Sequence, residues 1–312
     1  MKKAIILKHG GGEFANQLWN YISVYAYSIE RKCECENHSF FEYAYFFDIP
    51  HIKNWVIYTL FFIPFHKYVG RRKGFRTRFF RALYKIYILL VYATKKDSII
   101  SSINSTNTPF YLPPSCLSKQ SFLDIEKNND VFYFDGWFFR NPDGITKYRD
   151  KIIHYFTPKE FIRRTVNSII APLRKQFTYI VGVHIRRGDY TTFKNGRYFL
   201  ETSRVVEILK EYLKENAMRQ EETVFIITSD DGIDMNDFPS LNIVRASGNA
   251  VEDFFTLATT DVIIGSDSSY GNLAAYFGNI PHIVMTKRPI DWTYYRGKTK
   301  YFPTKYCTMV HY

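Results

Sequence analysis

The chain has 312 residues, room for two domains of roughly 150 each. Hydrophobic residues make up 46% and charged residues 23%, a globular balance that excludes a disordered chain. The net charge of +12 points to anionic partners: a nucleotide, a nucleic acid or an anionic lipid.

Cys33, Cys35, Cys116 and Cys307 show no metal-binding or redox spacing, and reduced thiols are expected. No window holds the roughly 18 uninterrupted apolar residues of a spanning helix. At the N-terminus, MKKAIILKHGGG places two lysines ahead of a short apolar run. Ala4–Leu7 is too short for a signal-peptide core and is read as a first, buried strand. His9–Glu13 forms a glycine-rich turn. A helix is predicted over Asn16–Lys32, with Leu18, Tyr21, Ile22, Tyr25 and Ile29 on one face. Strand, glycine turn and helix in this order can offer free N–H groups to an anion, which makes Gly11, Gly12, Asn16 and Gln17 candidates. The G-x-G-x-x-G dinucleotide fingerprint is absent, and the glycines fit a plain tight turn equally well.

Residues 51–96 are basic and aromatic, and between Lys53 and Lys96 there is no Asp or Glu. A helical run over Arg76–Tyr92 interleaves Phe79, Phe80, Leu83, Ile86, Tyr87, Leu90 and Val91 with Arg78, Arg81 and Lys85. Such a stretch fits an anionic membrane interface, or helices that pack on a sheet with solvated basic faces. No part of the chain resembles a nucleic-acid module, and no nucleic-acid partner is expected. Ser101–Ser118 reads as a polar loop. Val131–Phe134 is a strand that ends at Asp135, a candidate at a strand end. Thr157-Pro158-Lys159-Glu160 reads as a helix start, with threonine as cap and proline in the first position, for a helix to about Lys175.

The remaining sequence alternates. Strands are predicted at Tyr179–Val183, Thr223–Thr228, Ile243–Val244, Asp261–Gly265 and Pro281–Met285, with helices at Glu201–Asn216, within Asn249–Ala258 and through Ala274–Phe277. This order predicts an α/β fold with right-handed crossovers and parallel sheets. The strand ends carry polar residues: His184, Arg186, Arg187 and Asp189 after the first, Ser229, Asp230 and Asp231 after the second, and Ser266, Asp267, Ser268 and Ser269 after the fourth. Guanidinium forks bind phosphate oxygens bidentately, an acid can hold a fork in place, and serines ahead of a helix can present hydroxyls and N–H groups to phosphate. Each cluster alone also fits a salt bridge or a helix cap; their recurrence on several strand ends favours a nucleotide site.

HIRRGDY at His184–Tyr190 resembles the HxRRxDY motif of GDP-fucose-dependent fucosyltransferases, above all the bacterial α-1,2-fucosyltransferases of glycosyltransferase family 11. GGGEFANQLWNYISVYAYS resembles that family's GGLGNQLFQYAFA segment, with Asn16 and Gln17 on its NQ pair and Glu13-Phe14-Ala15 departing from it. ITSDD and EDFFTLATTDVIIGSDSSYGNLAAYFG are similar to its second and third motifs, and VFYFDGWFFRNPDGITKYRDKI more loosely to a further segment. Tyr270-Gly271-Asn272 departs from the family's tryptophan-rich run.

The resemblance implies two Rossmann-like domains facing a cleft, the GT-B type, with residues 51–96 as a helical insertion in the first. Residues 1–160 then form the acceptor-side domain, 161–290 the GDP-sugar domain, and 291–312 a tail packing back on the first. It also implies transfer of L-fucose from GDP-fucose to a glycan hydroxyl, in α-1,2 linkage to a galactoside, with inversion and without metal. The resemblance places His184 and Asp253 at the guanine and Arg186 at the diphosphate beside Ser268 or Ser269. Arg187 and Asp189 fit structure as well as ligand. A general base is not visible, and Asp189, Glu13, Asp135 and Glu201 qualify by type. A lipid-linked acceptor in bacterial surface polysaccharide or O-antigen synthesis fits a cytoplasmic chain, free or peripheral on the inner face of the membrane. The alternatives are a transferase using another nucleotide sugar and a non-catalytic nucleotide- or lipid-binding protein at the membrane surface.

Overall fold

The computed structural model describes all residues except 9–11, 51, 67–74, 102–116, 118–119, 137–138, 247 and 304–312. The chain divides into two compact units, residues 1–159 with 303–312, and residues 160–302. In the first unit, β1 (Lys3–Lys8), β2 (Glu34–Asn37), β3 (Ile99–Ser101) and β4 (Val131–Asp135) form a parallel sheet in the order β2-β1-β4-β3. Ala4, Ile6 and Leu7 are buried, as are Phe132 and Phe134, because parallel strands covered on both faces are apolar throughout.

Helix α1 (Phe14–Arg31) links β1 to β2 and is buried over most of its length. It ends at Lys32 in the left-handed region, φ 53°, with the Lys32 N–H donating back to Ile29. Short helices α2 (Trp55–Ile57) and α3 (Ile63–His66) are joined by a π-helical turn, Tyr58–Phe62, and are followed by the long α4 (Phe75–Thr94). Aromatic rings pack these pieces inward: Phe61 lies 5.1 Å from Tyr84 of α4 and 5.7 Å from Phe41. The unit is completed by α5 (Gln120–Asn128), α6 (Pro142–Lys147) and α7 (Arg149–Tyr155).

The second unit opens with α8 (Glu160–Gln176). The expected helix start at Thr157 is corrected: Pro158 bridges to Phe47, and the Lys159 N–H donates to Phe46, so these residues are extended and α8 begins after them. Strands β5 (Tyr179–Ile185), β6 (Thr223–Ser229), β7 (Ile243–Arg245), β8 (Val262–Gly265) and β9 (His282–Val284) are all parallel, in the order β7-β6-β5-β8-β9. Helices α9 (Thr202–Glu215), α10 (Ala250–Ala258) and α11 (Ser269–Gly278) cross between them. The core includes Val181, Val183, Ile185, Phe225, Ile227, Ile264 and Leu209. Residues 291–302, expected in a tail, belong to this unit: Trp292 and Tyr295 of α12 (Trp292–Tyr295) pack against its core. The expectation for the rest of the tail falls on residues 304–312, outside the described ones.

Candidate functional site

In sequence order the strands of the second unit run 3-2-1-4-5, so connections leave the sheet in opposite directions from β5 and β8. The carboxyl ends of this pair form a topological switch point, where open α/β sheets leave a crevice for ligands. His184, Arg186 and Arg187 at the end of β5 and Ser266–Ser269 after β8 therefore meet at one place, although about 80 residues separate them in sequence.

The HIRRGDY turn is held by its backbone. The Arg186 N–H donates to Ser266 Oγ at 3.0 Å, tying the end of β5 to that of β8. Asp230, just beyond β6, accepts through Oδ1 from the N–H groups of Arg187 at 2.7 Å and Gly188 at 3.3 Å. Asp230 thus anchors the arginine turn, while Asp231 caps its own turn by accepting from the Gly232 N–H at 2.7 Å. Ser229 Oγ accepts from the Asp231 N–H at 3.3 Å. The hydroxyl of Tyr190 donates to the Asp267 carbonyl at 2.7 Å and closes the turn from the other side.

The two arginines diverge. Arg187 turns to the helix side, where it donates to the Thr202 hydroxyl at the start of α9 and lies 5.8 Å from the Phe199 ring. These contacts brace the turn against the start of α9. Arg186 is half-buried beside the Tyr190 ring at 5.3 Å, and its Nε donates to Asp189 Oδ1 at 2.9 Å. Burial opposes its charge, but the Asp189 carboxylate, with Tyr190 and Asp230, more than offsets that and raises the guanidinium's pKa. With Nε engaged, the two Nη groups are the part of the fork available to an anion. Asp189 is a positioning residue for Arg186.

His184 is buried between the strand ends and α11. Burial, with His282 and Arg186 nearby, pushes its pKa down to about 3, so the imidazole is neutral near pH 7. Its Nδ1 shares a 3.3 Å hydrogen bond with Ser268 Oγ, and its ring lies 4.8 Å from Tyr270. Gly271 leaves room for this packing: a Cβ there would stand 3.0 Å from His282 Nε2, and the imidazole would have to shift by a few tenths of an ångström. Ser268 is the N-cap residue of α11, yet its side chain makes no capping hydrogen bond to the helix. Engaged with His184 instead, it leaves the first turn of α11 uncapped by its own cap residue, where the helix dipole favours negative charge. Asn272, one turn further, is fully buried and makes no side-chain hydrogen bond among the described residues.

Asp253 lies in the first turns of α10, whose start is fixed by a capping box between Asn249 and Glu252. Its Oδ1 accepts from the Gly248 N–H at 3.0 Å. Burial first, and the neighbouring Glu252 charge, raise its pKa to about 6, against opposing contributions from the Gly248 N–H and Arg245.

The remaining candidates belong to the first unit. Gly11 lies outside the described residues. Gly12, at φ 74°, accepts through its carbonyl from Gln17 Nε2 at 3.3 Å, which folds the turn back on α1, and Asn16 sits beside it. Glu13 accepts from the Tyr43 hydroxyl at 3.0 Å. Asp135, paired in register with Lys8 at the ends of β4 and β1, accepts from the Tyr92 hydroxyl of α4. Glu201 is exposed and precedes α9. Sequence reasoning missed Asn20, fully buried, which donates to the Gly136 carbonyl at 3.1 Å and accepts from the Phe139 N–H at 3.2 Å. It also missed His282, whose one signal is a histidine inside an apolar strand. No group of three or more His, Cys, Asp or Glu residues placed to hold a metal ion occurs among the described residues.

The sequence model of glycosyl transferase family 11 matches residues 121–295. No curated protein matches the chain in sequence. Among solved structures the chain is similar to POFUT1 in complex with GDP-fucose, at 11% identity and a TM-score of 0.52, over 92% of this chain and 98% of that one. It is similar to an Arabidopsis thaliana FUT1 mutant in complex with GDP, at 11% identity and a TM-score of 0.58, over 93% and 71%. It is similar also to NodZ α-1,6-fucosyltransferase co-crystallized with GDP, at 11% identity and a TM-score of 0.50, over 88% and 92%. At such identity the likeness is one of fold, two Rossmann-like domains of the GT-B type. The family match spans more than half of the sequence, and the chain belongs to glycosyl transferase family 11.

Proposed function

We propose that the second unit binds GDP-fucose and that the chain transfers L-fucose to a glycan hydroxyl, a galactoside in α-1,2 linkage, with inversion and without a metal ion. The observation that carries this reading is the convergence of Arg186 and the start of α11 at the switch point between β5 and β8. As the sugar is transferred the nucleoside diphosphate leaves, and its β-phosphate gains charge as the glycosidic bond breaks. Arg186 supplies a fixed positive charge there, oriented by Asp189, and the α11 terminus adds oriented N–H dipoles. Asp253, ionised above its pKa of about 6, suits the two adjacent donors on the edge of a guanine. The solved structures of similar fold that hold GDP-fucose or GDP support a GDP-linked donor.

The general base that takes the acceptor proton belongs in this reading to a carboxylate other than Asp189, which orients Arg186. A second donor is the alternative reading, because Tyr270-Gly271-Asn272 departs from the resembled tryptophan-rich run and Tyr270 packs on His184. The test is incubation with GDP-fucose and a lipid-linked or free β-galactoside, with EDTA present, and NMR of the product. An α-anomeric fucosyl product on the 2-hydroxyl supports the reading. Transfer from GDP-mannose or a UDP-sugar instead, or dependence on added metal, refutes it.

A further inference from the structure

The chain's excess charge is concentrated in one segment. Residues 53–96 hold 11 Lys and Arg and no acid, and the rest of the chain is nearly balanced, 31 basic against 30 acidic. The same segment holds eight of the fourteen exposed large apolar side chains among the described residues: Trp55, Val56, Leu60, Ile63, Phe79, Ile86, Leu89 and Leu90. Charge and exposed apolar surface coincide, although either alone is unremarkable on a protein surface.

Helix α4 shows how they are arranged. Its inner face is committed to the fold: Tyr84 donates its hydroxyl to the Leu7 carbonyl at 2.6 Å, Tyr87 is hydrogen-bonded to His38 at 2.9 Å, and Val91 is buried. At 3.6 residues per turn, Phe79, Ile86, Leu89 and Leu90 fall within an arc of about 100° away from that face. Leu89 is 65% exposed and Leu90 60%. Arg78, Arg81 and Lys85 lie between the two faces. Arg81 is held by Glu42 through two 2.7 Å hydrogen bonds, whereas Arg78 and Lys85 are exposed. The preceding Trp55–His66 segment repeats the pattern: Ile57, Phe61 and Phe62 are buried, while Trp55, Val56, Leu60 and Ile63 face out, Trp55 at 73%.

We propose that the outer faces of α4 and of the Trp55–His66 segment form a docking surface for an anionic lipid membrane. An amphipathic helix with apolar residues at its outermost arc and basic residues beside them lies in the interfacial plane, with its side chains entering the headgroup boundary. No helix among the described residues is long and apolar enough to cross a membrane, so this contact is peripheral. A second copy of the chain would set one eleven-charge segment against another, which favours lipid over self-association. The proposal does not depend on which donor the second unit binds.

The test is co-sedimentation of the full chain with vesicles of phosphatidylcholine alone and of phosphatidylcholine mixed with phosphatidylglycerol. Binding to the mixed vesicles exceeds binding to the neutral ones by roughly fivefold for each basic residue near the surface, and falls as salt is raised. Both R78E/K85E and L89E/L90E weaken it at least tenfold while far-UV circular dichroism and thermal unfolding stay at wild-type values. Brominated lipid quenches tryptophan emission in the wild type and less in W55F. Equal binding to both vesicle types, no binding, or no loss in either double variant overturns the proposal. So does dimerisation without lipid that L89E/L90E abolishes, which would assign the face to a second copy.

Discussion

Replacing Asp253 by asparagine separates what this residue costs the fold from what it does for a ligand. Asparagine keeps an oxygen to accept the 3.0 Å hydrogen bond from the Gly248 N–H but cannot ionise. In the folded chain the Asp253 carboxyl titrates near pH 6, against an ordinary value of 3.8. The folded state therefore holds the proton more tightly than the unfolded one. The ionised form makes folding less favourable by up to about 3 kcal/mol above pH 6, a penalty that shrinks as the pH falls and is gone below the unfolded value. At this half-buried position water access reduces the figure to about 1–3 kcal/mol, worth several degrees in Tm for a domain of this size. D253N is thus more stable than wild type at pH 8, with the gain roughly halved at pH 5 and reduced to about a fifth at pH 4. Under the proposed function the same change lowers donor affinity roughly 10- to 100-fold at pH 8, because one charged hydrogen bond to guanine is lost. Thermal unfolding across pH and calorimetric titration with GDP measure both effects. A D253N protein less stable at pH 8, a gain independent of pH, or unchanged GDP affinity would refute the reasoning.

Two further substitutions probe how the site is held. In D230A the N–H groups of Arg187 and Gly188 lose their shared acceptor, and because Asp230 is exposed water replaces it, so stability changes by less than about 1 kcal/mol while donor KM rises severalfold. D230N keeps the accepting oxygen and restores KM; failure of that rescue would show that the charge, not the anchor, matters. In G278A a Cβ would stand 2.2 Å from the Ala258 carbonyl oxygen, forcing α10 and α11 apart, at a cost of about 1–3 kcal/mol. Calorimetry then shows Tm several degrees below wild type, and an unchanged Tm would contradict this packing.

Most strands were legible in the sequence because parallel strands buried on both faces read as short apolar runs: IIL in β1, FYF in β4, VFIIT in β6 and VII in β8; β2 (ECEN) is too polar and β3 (IIS) too short to show such a run, and neither was legible. The placement of polar residues after those runs was legible for the same reason. What each polar residue touches was not, because it depends on strand order. Asp230 offers its carboxylate to backbone amides of the β5 turn only because β6 lies beside β5, and Ser266 reaches Arg186 only because β8 lies on the other side. The two adjacent arginines look alike in sequence, and only the position of Thr202 at the start of α9 draws the Arg187 side chain to the helix side. Pro158 carries a helix-start signature, but its partner is Phe47, more than a hundred residues earlier. Trp292 and Tyr295 appear in sequence as a tail beyond the last strand, and their place on the core of the second unit comes from packing with distant residues such as Tyr212, 6.1 Å from the Trp292 ring.

The central claim is that Arg186 at the β5–β8 switch point holds the diphosphate of a GDP-linked sugar. Calorimetric titration of wild type and R186A with GDP-fucose, GDP-mannose and a UDP-sugar, each with and without EDTA, tests it most directly. The account predicts GDP-fucose binding that is selective, insensitive to EDTA, and weakened at least a hundredfold in R186A while thermal unfolding shows the variant still folded. Equal binding of all three nucleotides, or full affinity in R186A, would contradict it.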